Sequence, residues 1–345
     1  MKKLTLLALL FMAMGTMCNA QKIWSVSKDA AQKANFSEIQ SAIDAASPGD
    51  YIYVYPSVYE NGFTLGIPVV IVGPGYFLGD NINTQVNKSP ATIKGEVTIG
   101  INTSGTILTG LNIENKVTIQ GTSNVVLKRN RIHSVEINSS TNITIKQNYI
   151  YDNSHSYDVN STHYYSSIYI KNNSNSILIK NNYVMSSLEW AFFDFYAFLL
   201  TENSTSCLIE NNLINGHFKG ENITFNNNIS RAGENKGAVN CSFNNNISSL
   251  SQFGTANGNQ ANITMTTVFI GSATNPSADG QWQLKNGSPA KGAGQDGVDC
   301  GMFGGPDPYV LSGIPDIPSI YFFQAPDGGS ASNGLPVRLK IKSHQ

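Results

Sequence analysis

Ile143-Thr-Ile-Lys-Gln-Asn148 and Ile177-Leu-Ile-Lys-Asn-Asn182 share one pattern, in which two apolar residues flank any residue and an asparagine follows three places later. Four more copies of the pattern end at Asn130, Asn212, Asn228 and Asn246. From 130 to 246, the numbers of successive asparagines differ by 18, 34, 30, 16 and 18. A basic period of about 18 residues with two enlarged intervals indicates a solenoid, in which similar coils stack on one another.

The apolar residues of each copy alternate with other residues. Alternation with a period of two is typical of β-strands, whereas a helix repeats its apolar positions every 3.6 residues. A single coil of this length is too small to bury its own apolar face, so its neighbours must complete the core. The sequence therefore predicts an all-β parallel β-helix of about a dozen coils, with asparagines stacked at one corner in turn conformations.

Residues 1–20 have the composition of an export signal. Lys2 and Lys3 precede an apolar run from residue 4 to residue 14, and Cys18-Asn-Ala20 forms a cleavage site before Gln21. The run is shorter than the ~20 apolar residues that span a membrane. We therefore expect an exported protein, secreted or at the cell surface, without a membrane span. A lipid attached to Cys18 is the alternative to free secretion.

Composition and charge narrow the range of partners. Without the two leader lysines, 20 basic residues face 23 acidic ones, which gives a net charge of −3. There is neither a basic surface nor a nucleic-acid-binding motif in the sequence, so we expect no nucleic-acid partner. Charged residues make up 13% of the chain, and the uncharged polar residues that replace them suit tight, stacked turns. We expect a monomer.

Three cysteines follow the leader: Cys207, Cys241 and Cys300. Export would permit disulfides. Cys207 and Cys241 occupy the same place in the repeat, with one copy between them. Two coil spacings of ~4.8 Å put them roughly 10 Å apart, beyond the ~7 Å limit on the Cα–Cα distance of a disulfide. We therefore predict that both are buried thiols.

An N-terminal helix is predicted before the first coil. Ser37 and Gln40 have the spacing of a capping box, and apolar residues recur at helical intervals from Phe36 to Ala46. The turn at residues 47–50 ends the helix, and residues 51–55 alternate as a strand. Such a helix covers the open end of the solenoid, whose backbone edge would otherwise pair with other chains.

The segment from Phe36 to Val54, followed by Pro56-Ser-Val-Tyr-Glu60, resembles the opening of proteins of the pectin-lyase-like superfamily. With the Asn-rich repeats, the resemblance extends to about residue 270. It implies a right-handed parallel β-helix and, for many members, secretion and activity as polysaccharide lyases or glycoside hydrolases. Non-enzymatic members share this fold, so the resemblance defines the architecture more closely than the activity.

These features divide the chain into a signal peptide (1–20), an N-terminal cap with a short helix (21–48), the parallel β-helix (49–270) and an irregular, Gly/Pro-rich C-terminal cap with a terminal strand (271–345). The terminal strand is expected in the alternating segment 335–342 and should be exposed. The tail resembles the closing segments of secreted bacterial β-helix proteins. An export or docking signal is the alternative interpretation.

Two consecutive coils are enlarged at the same point of the repeat. One gains residues between Ile150 and Ile168, and the next gains residues between Val184 and Phe198. Both insertions follow the repeated asparagine by the same distance, so both loops should leave one corner of the solenoid side by side. Insertions collected on one face of a solenoid usually mark its binding face.

The two loops carry residue types that bind and cleave glycans. Carboxylates and imidazoles serve as general acids and bases, and aromatic rings suit the apolar faces of sugars. The candidate catalytic residues are Asp158, His163, Glu189 and Asp194. The candidate substrate-binding residues, which include histidines of the flanking coils, are His133, His155, Tyr157, Tyr164, Tyr165, Trp190, Tyr196 and His217. Alternatively, the apolar part of the second loop packs as a satellite core and the polar residues are merely solvated.

Active-site motifs of the resembled family are absent from this sequence. Pectate-lyase relatives carry a catalytic arginine and a calcium-binding aspartate cluster, and polygalacturonase relatives carry Asn-Thr-Asp, Asp-Asp and Gly-His-Gly motifs. We expect neither a metal nor another cofactor, because Asp296 and Asp299 lie among glycines as turn residues do. Four basic residues beside the core strand are interpreted as surface charges: Lys128, Arg129, Arg131 and Lys146.

Three functions remain open. The first is an exported β-helix protein that binds a glycan at the two loops and cleaves it if it is an enzyme, as a glycoside hydrolase or polysaccharide lyase. A neutral glycan fits the acidic loops best. The second is a non-catalytic surface or adhesion scaffold. The third is a calcium-dependent polysaccharide lyase whose motif has diverged.

Overall fold

The computed structural model describes residues 20–152, 166–186, 196–200, 204–330, 332 and 334–343, with the backbone alone at 196–200 and 205. One α-helix, α1, spans Ile39–Ala45, and short 3₁₀ helices span Met265–Thr267, Gly280–Trp282, Gln295–Gly297 and Leu311–Gly313. The strands are β1 Ile23–Val26, β2 Tyr51–Val54, β3 Ser57–Tyr59, β4 Phe63–Leu65, β5 Val70–Val72, β6 Ala91–Ile93, β7 Val97–Ile99, β8 Ile107–Thr109, β9 Asn112–Gln120, β10 Val126–Lys128, β11 Arg131–Asn138, β12 Thr141–Lys146, β13 Tyr149–Asp152, β14 Ser166–Lys171, β15 Asn175–Lys180, β16 Tyr183–Ser186, β17 Tyr196–Leu200, β18 Thr205–Glu210, β19 Leu213–Asn215, β20 His217–Glu221, β21 Ile223–Asn226, β22 Ile229–Ala232, β23 Asn235–Val239, β24 Ser242–Asn244, β25 Ile247–Ser248, β26 Ser319–Gln324 and β27 Arg338–Lys342.

Parallel strands wind around one axis on three faces, which confirms the predicted parallel β-helix. Face 1 contains ten strands in the order β1, β2, β5, β8, β10, β12, β15, β18, β21 and β24. Faces 2 and 3 are two arms of one sheet, and the long strands β9 and β11 belong to both. Face 2 continues through β13, β16, β19, β22 and β25, and face 3 continues through β14, β17, β20 and β23.

Aliphatic side chains stack inside the coils in register. Ile145 pairs with Ile179, and Ile179 pairs with Ile209; none of the three is exposed to solvent. Near the C-terminal end the stack becomes aromatic, and Phe253 enters from the segment after β25 with its ring centroid 5.4 Å from that of Phe218. The apolar interior is therefore continuous and closed by aromatic rings, as the alternating pattern predicts.

The repeated asparagines form a ladder at the corner between faces 1 and 2, called here the ladder corner. The side-chain amide nitrogen of Asn148 donates to Oδ1 of Asn182 at 3.0 Å, and that of Asn182 donates to Oδ1 of Asn212 at the same distance. The ladder runs from Asn130 to Asn246 and ends on Asn259, which the sequence pattern did not reveal. All six repeat asparagines are inaccessible to solvent: Asn130, Asn148, Asn182, Asn212, Asn228 and Asn246.

The residue in the left-handed conformation is not the ladder asparagine itself but the residue before it. Gln147 has φ 57°, Asn181 has φ 53° and Asn211 has φ 53°. The expectation of a turn conformation was therefore one residue out of place. The two residues have different roles. The first makes the sharp bend of the backbone, and the second directs its side-chain amide along the axis, where it bonds the coils above and below.

One further expectation about the N-terminal helix needs correction. The cap residue of α1 is Glu38, which makes no side-chain capping bond, so the predicted capping box does not form. On the outer side of face 2 the register is regular at Ile229 and Ile247, which pair with Leu213 and with each other. The irregularity in that register begins after Ser230.

The cysteines of the described part of the chain are free thiols. Cys207 is buried as predicted, and burial raises the pKa of its thiol to about 12. Cys241 is half-buried, which corrects the expectation that both would be buried. Ile223 lies between them in the strand order, so the two cysteines are two coils apart.

The segment after the last coil returns along the outer side of face 2. Side chains of the left-handed residues at the ladder corner hold it, one coil after another: Asn181 Nδ2 donates to Gly304 O at 2.7 Å, and Gln147 Nε2 donates to Pro308 O at 2.6 Å. Further along, Arg129 donates to Ile314 O at 3.0 Å and pairs with Asp316. Arg129 is 2% exposed, so its interpretation as a surface charge was wrong.

A two-stranded antiparallel ribbon, β26–β27, follows this segment. All five residues of β27 are exposed, in agreement with the expected terminal strand. The ribbon joins the body where Ser319 Oγ donates to Thr84 O at 3.1 Å and Val86 N donates to Ile320 O at 3.0 Å. Among the described residues there is no helix of a length and apolarity that would cross a membrane.

Candidate functional site at the junction corner

The corner between faces 2 and 3, called here the junction corner, differs from coil to coil. β9 and β11 run straight through it as single strands. Two later coils close it with glycine: a Cβ on Gly233 would lie 2.2 Å from the carbonyl carbon and oxygen of Gly216. Between these two arrangements, the inserted segments 153–165 and 187–195 connect β13 to β14 and β16 to β17.

The strands on both sides of the loops are paired, so the loops start and end next to each other. Before the loops, Asp152 pairs with Ser186. After them, Ser166 pairs with Tyr196, and Tyr196 pairs with His217 of the following coil. The expected emergence of both loops from one corner therefore agrees with the strand register.

Most of the sequence-predicted site residues lie outside the described residues. They are Asp158, His163, Glu189 and Asp194 among the candidate catalytic residues, and His155, Tyr157, Tyr164, Tyr165 and Trp190 among the candidate binding residues. Their roles stay predictions. His133, the backbone of Tyr196 and His217 are described, and they lie at the junction corner.

His133 and His217 border the two open coils. His133 and Ser166 occupy equivalent positions on their coils, because each lies two residues before one member of the pair Val135–Ile168. Its Nε2 is 3.4 Å from Oδ1 of Asp152, which is 5% exposed. Nδ1 of His217 accepts a hydrogen bond from the backbone N–H of Glu234 at 2.9 Å, which leaves Nε2 as the ring nitrogen that carries the proton in the neutral form.

A row of outward-facing side chains on face 2 lies directly beside the loops. We call it the junction strip; it consists of Tyr151, Met185 and Asn215, in register on three successive coils, and of His133, whose ring centroid lies 6.0 Å from that of Tyr151. The next row of outward-facing side chains, on the side of the ladder corner, is covered by the returning C-terminal segment. It consists of Arg131, Tyr149, Tyr183, Leu213, Ile229 and Ile247. The strip therefore lies between the covered row and the loops.

Aromatic rings and two arginines link the strip to the C-terminal segment. The Arg131 guanidinium lies 3.8 Å from the centroid of the Tyr151 ring, and Tyr149 stacks on Tyr183 with centroids 4.4 Å apart. The stack continues to Trp282, 5.6 Å from Tyr183, and ends at the Arg231 guanidinium, 5.0 Å from the tryptophan ring. This chain of ring contacts crosses several coils, and its tyrosines Tyr151 and Tyr183 are buried.

Burial keeps the tyrosine hydroxyls of this region protonated. It raises the pKa of Tyr183 to about 12, and it raises the pKa of Tyr151 although the Arg131 charge opposes the rise. Both side chains are therefore neutral hydroxyls at physiological pH. They can donate and accept hydrogen bonds but do not act as anions.

Several polar atoms of this region are buried without a hydrogen-bond partner. Within the described part of the chain, these atoms are Nε of Arg131, Oδ1 of Asn215, Nε of Arg231, Nε1 of Trp282 and the hydroxyls of Ser166 and Ser186. These six atoms lie on face 2, on the segment that covers it and at the junction corner, whereas the amides of the ladder are bonded. Buried polar groups are usually satisfied, so this concentration marks a place where water or a ligand supplies the missing partners.

The arrangement favours binding over any chemistry assignable within the described residues. In that part of the chain, no group of three or more His, Cys, Asp or Glu side chains could hold a metal ion. The Asp299 carboxylate accepts a bond from Gly292 N at 2.9 Å, as a turn residue does. His133 and Asp152 carry groups of the kinds that transfer protons, and any further catalytic groups would have to come from the inserted segments.

The sequence analysis missed part of this region. Arg131 was assigned to the surface, and the tyrosines of the covered row were not considered. A signal was present: Arg131, Tyr149 and Tyr183 each follow a ladder asparagine directly, so aligning the repeats on Asn places them in one column. Trp282 had no such signal, because only the return path of the C-terminal segment brings it to the coils.

Comparison with known proteins identifies the fold. No protein-family model matches the sequence, and no curated protein matches it either. Among solved structures, the chain is similar to pectate lyase Pel9A, with a TM-score of 0.54, 13% sequence identity, and coverage of 82% of this chain and 96% of that one. The resemblance to pectin-lyase-like β-helices is thereby confirmed at the level of the fold.

A second solved structure is less similar. It is the catalytic domain of a GH87 α-1,3-glucanase, determined with tetrasaccharides, with a TM-score of 0.34 and 14% identity. The similarity covers 65% of this chain and 46% of that one. A TM-score this low supports no conclusion about the fold or the activity of the present chain.

Proposed function

We propose that this protein is exported and binds a glycan along the junction strip, between the two loops and the C-terminal segment. The observation that carries the proposal is the combination of ring faces with buried, unsatisfied polar atoms on neighbouring coils. A sugar offers C–H faces to aromatic rings and hydroxyls to polar side chains, so it matches both properties at once. The predicted leader and the pectate-lyase-like fold are compatible with such a role.

The spacing of the strip suits a linear polymer. Tyr151, Met185 and Asn215 are in direct register, so successive side chains repeat at the coil spacing of ~4.8 Å along the axis. A glycan chain parallel to this axis meets one coil after another and forms many weak contacts instead of a single strong one.

Charge at the strip bears on the class of glycan. Arg131 and Arg231 stand at the two ends of the ring stack, which favours an acidic sugar, whereas the loop sequences contain Asp158, Glu189 and Asp194, which favour a neutral one. Neutral and acidic sugars both carry hydroxyls that can bond to the buried polar groups, so these groups do not discriminate between the two classes. The binding test therefore includes neutral and acidic glycans.

A glycan array probed with the chain from Gln21 onward tests the proposal. We expect binding to one class of oligosaccharide, and Tyr151→Ala should weaken it at least tenfold, about 1.4 kcal/mol, because Arg131 and the sugar both lose a ring face. Tyr55→Ala is the matched control, since this tyrosine is 42% exposed directly after β2, in the first coil and away from the strip, and its loss should leave the affinity unchanged. Thermal unfolding of each variant verifies that the fold is retained.

The outcome separates the competing functions. An array without any bound glycan, or equal binding by wild type and Tyr151→Ala, would contradict the proposal and favour a non-catalytic scaffold. If a glycan binds, analysis of the products distinguishes a binding protein from an enzyme. For an enzyme, Asp194→Asn and His163→Ala should each lower the rate at least tenfold, or about 1.4 kcal/mol.

A further inference from the structure

The C-terminal ribbon concentrates exposed apolar side chains. Fifteen large hydrophobic residues of the described chain are exposed, and seven of them lie between residues 320 and 341. They are Ile320, Phe322, Phe323, Leu335, Val337, Leu339 and Ile341. Soluble proteins usually expose such residues singly, so their collection on one small element indicates an interaction surface.

The register places four of these residues on one face, whereas Phe322, which pairs with Lys340, lies on the opposite face. Ile320 pairs with Ile341, and Phe323 pairs with Leu339, so the four side chains point to the same side. From Ile320 to Phe323, β26 advances three residues, whereas from Leu339 to Ile341 β27 advances two. The register shift next to Tyr321 accommodates the extra residue of β26. The irregularity therefore keeps the apolar face continuous.

The opposite face is cationic. It carries Arg338, Lys340 and Lys342, whose pairing partners are Gln324, Phe322 and Ser319. Lys340 Nζ lies 5.4 Å from the centroid of the Phe322 ring. Asp327 is the one acidic residue between positions 317 and 343. Within the described chain, none of the three cations forms a salt bridge with a carboxylate.

We propose that this ribbon docks on an anionic lipid surface, with the apolar face in the headgroup–acyl boundary and the cations among the headgroups. An element with an apolar face, a basic face and low overall hydrophobicity lies in the plane of such a surface. Each Lys or Arg near an anionic leaflet adds attraction, and long basic side chains reach the headgroups from a buried backbone.

A second copy of the chain fits the ribbon less well. Antiparallel pairing of β27 with its copy would place Lys340 opposite Lys340 and Arg338 opposite Lys342, and like charges directly opposite each other destabilise a sheet. Stacking of two apolar faces would bury little area. Two strands of five or six residues cover on the order of 200 Å², against roughly 800 Å² per partner in a stable interface.

Vesicle sedimentation tests the proposal. The chain from Gln21 onward is used, so that the apolar leader contributes nothing, with vesicles of phosphatidylcholine alone or of phosphatidylcholine and phosphatidylglycerol mixed two to one. We expect binding to the anionic vesicles that falls at least tenfold in about 0.5 M salt, which screens the lipid charge. Phe323→Ser/Ile341→Ser removes apolar contacts and Lys340→Gln/Lys342→Gln removes charge; each double variant should lower binding at least tenfold.

A matched control and a second measurement keep the result unambiguous. Ile101→Ser alters a side chain that is 66% exposed on the solenoid and should bind vesicles like wild type. Sedimentation velocity without vesicles reports self-association. No binding to anionic vesicles, equal binding of wild type and both ribbon variants, or a dimer abolished by Phe323→Ser/Ile341→Ser would each overturn the proposal.

Discussion

The ladder corner and the junction corner of the same coils differ in how completely their buried polar groups are hydrogen-bonded. At the ladder corner, the six coils from Asn130 to Asn246 repeat one solution: a left-handed residue, then a buried asparagine bonded to neighbouring coils. At the junction corner the coils are straight, closed by glycine or opened into loops, and unsatisfied polar atoms collect there. The comparison shows that uniform bonding at one corner holds the stack together while the other corner varies.

The difference has a physical basis. An amide that bonds along the axis tolerates no insertion, because one extra residue would break bonds to two neighbouring coils. A loop that leaves the opposite side of face 2 disturbs none of these bonds. The same coil can therefore keep Asn148 in the ladder and carry an insertion after Asp152.

Loss of a ladder amide should have the largest effect on stability. Asn228→Ala removes bonds to Ile209 O at 2.8 Å and to Asn246 Oδ1 at 2.9 Å, and it leaves Asn212 N without its acceptor. At about 1–3 kcal/mol for each buried group left unpaired, the free energy of unfolding should fall by about 3–5 kcal/mol. Urea unfolding followed by circular dichroism measures it.

The control lies in the same coil. Asn226 is half-buried, and its Oδ1 accepts one bond, from Asn244 at 3.0 Å. Asn226→Ala should therefore cost about 1 kcal/mol or less. Equal losses for the two variants would mean that the ladder contributes no more than an ordinary amide.

A glycine of the closed junction should be the next most sensitive position. Gly233 has φ 95°, and a Cβ there would meet the carbonyl of Gly216 at 2.2 Å, so Gly233→Ala should destabilise the protein by about 2–4 kcal/mol. Gly237 has φ 122° but no atom within 4 Å of an added Cβ, so Gly237→Ala should cost about 1–2 kcal/mol from backbone strain alone. A ranking in the reverse order would show that the junction is not closely packed.

The stability that the contact between the coils and the C-terminal segment contributes should fall at acid pH. Burial alone would raise the pKa of Asp307, but the hydrogen bond and charge of Lys146, with Lys180, lower it. A carboxyl with a depressed pKa stabilises the fold above about pH 4, and this stabilisation is lost as the pH falls through the lowered value. Asp307→Asn should cost about 1 kcal/mol at pH 7 and less at pH 3. An undiminished effect at pH 3 would exclude this ion pair as its source.

The sequence was sufficient for the coils and for the corner at which the two insertions begin and end. Alternation and the regular spacing of the asparagines are local properties, so Ile145 and Asn148 could be placed in the core and in the ladder. The ribbon strand was predictable for the same reason. The left-handed position was misplaced because Asn occurs at both places: Asn181 bends the chain and Asn182 bonds along the axis.

The covered row and the buried Arg129 could not be predicted, because they depend on where a distant segment returns. Arg129 contacts Ile314, which is 185 residues away in the chain, and nothing near either residue encodes the contact. Trp282 reaches the ring stack in the same way. The candidate site is thus partly a product of long-range packing, which repeat patterns do not report.

The location of the bound glycan tests the account most directly. A crystal structure of the chain with the best oligosaccharide from the array should show a sugar ring in contact with Tyr151 or Met185 and hydrogen-bonded to Asn215 or Arg131. A sugar bound on face 1 or on the ribbon, with the junction strip empty, would contradict the account.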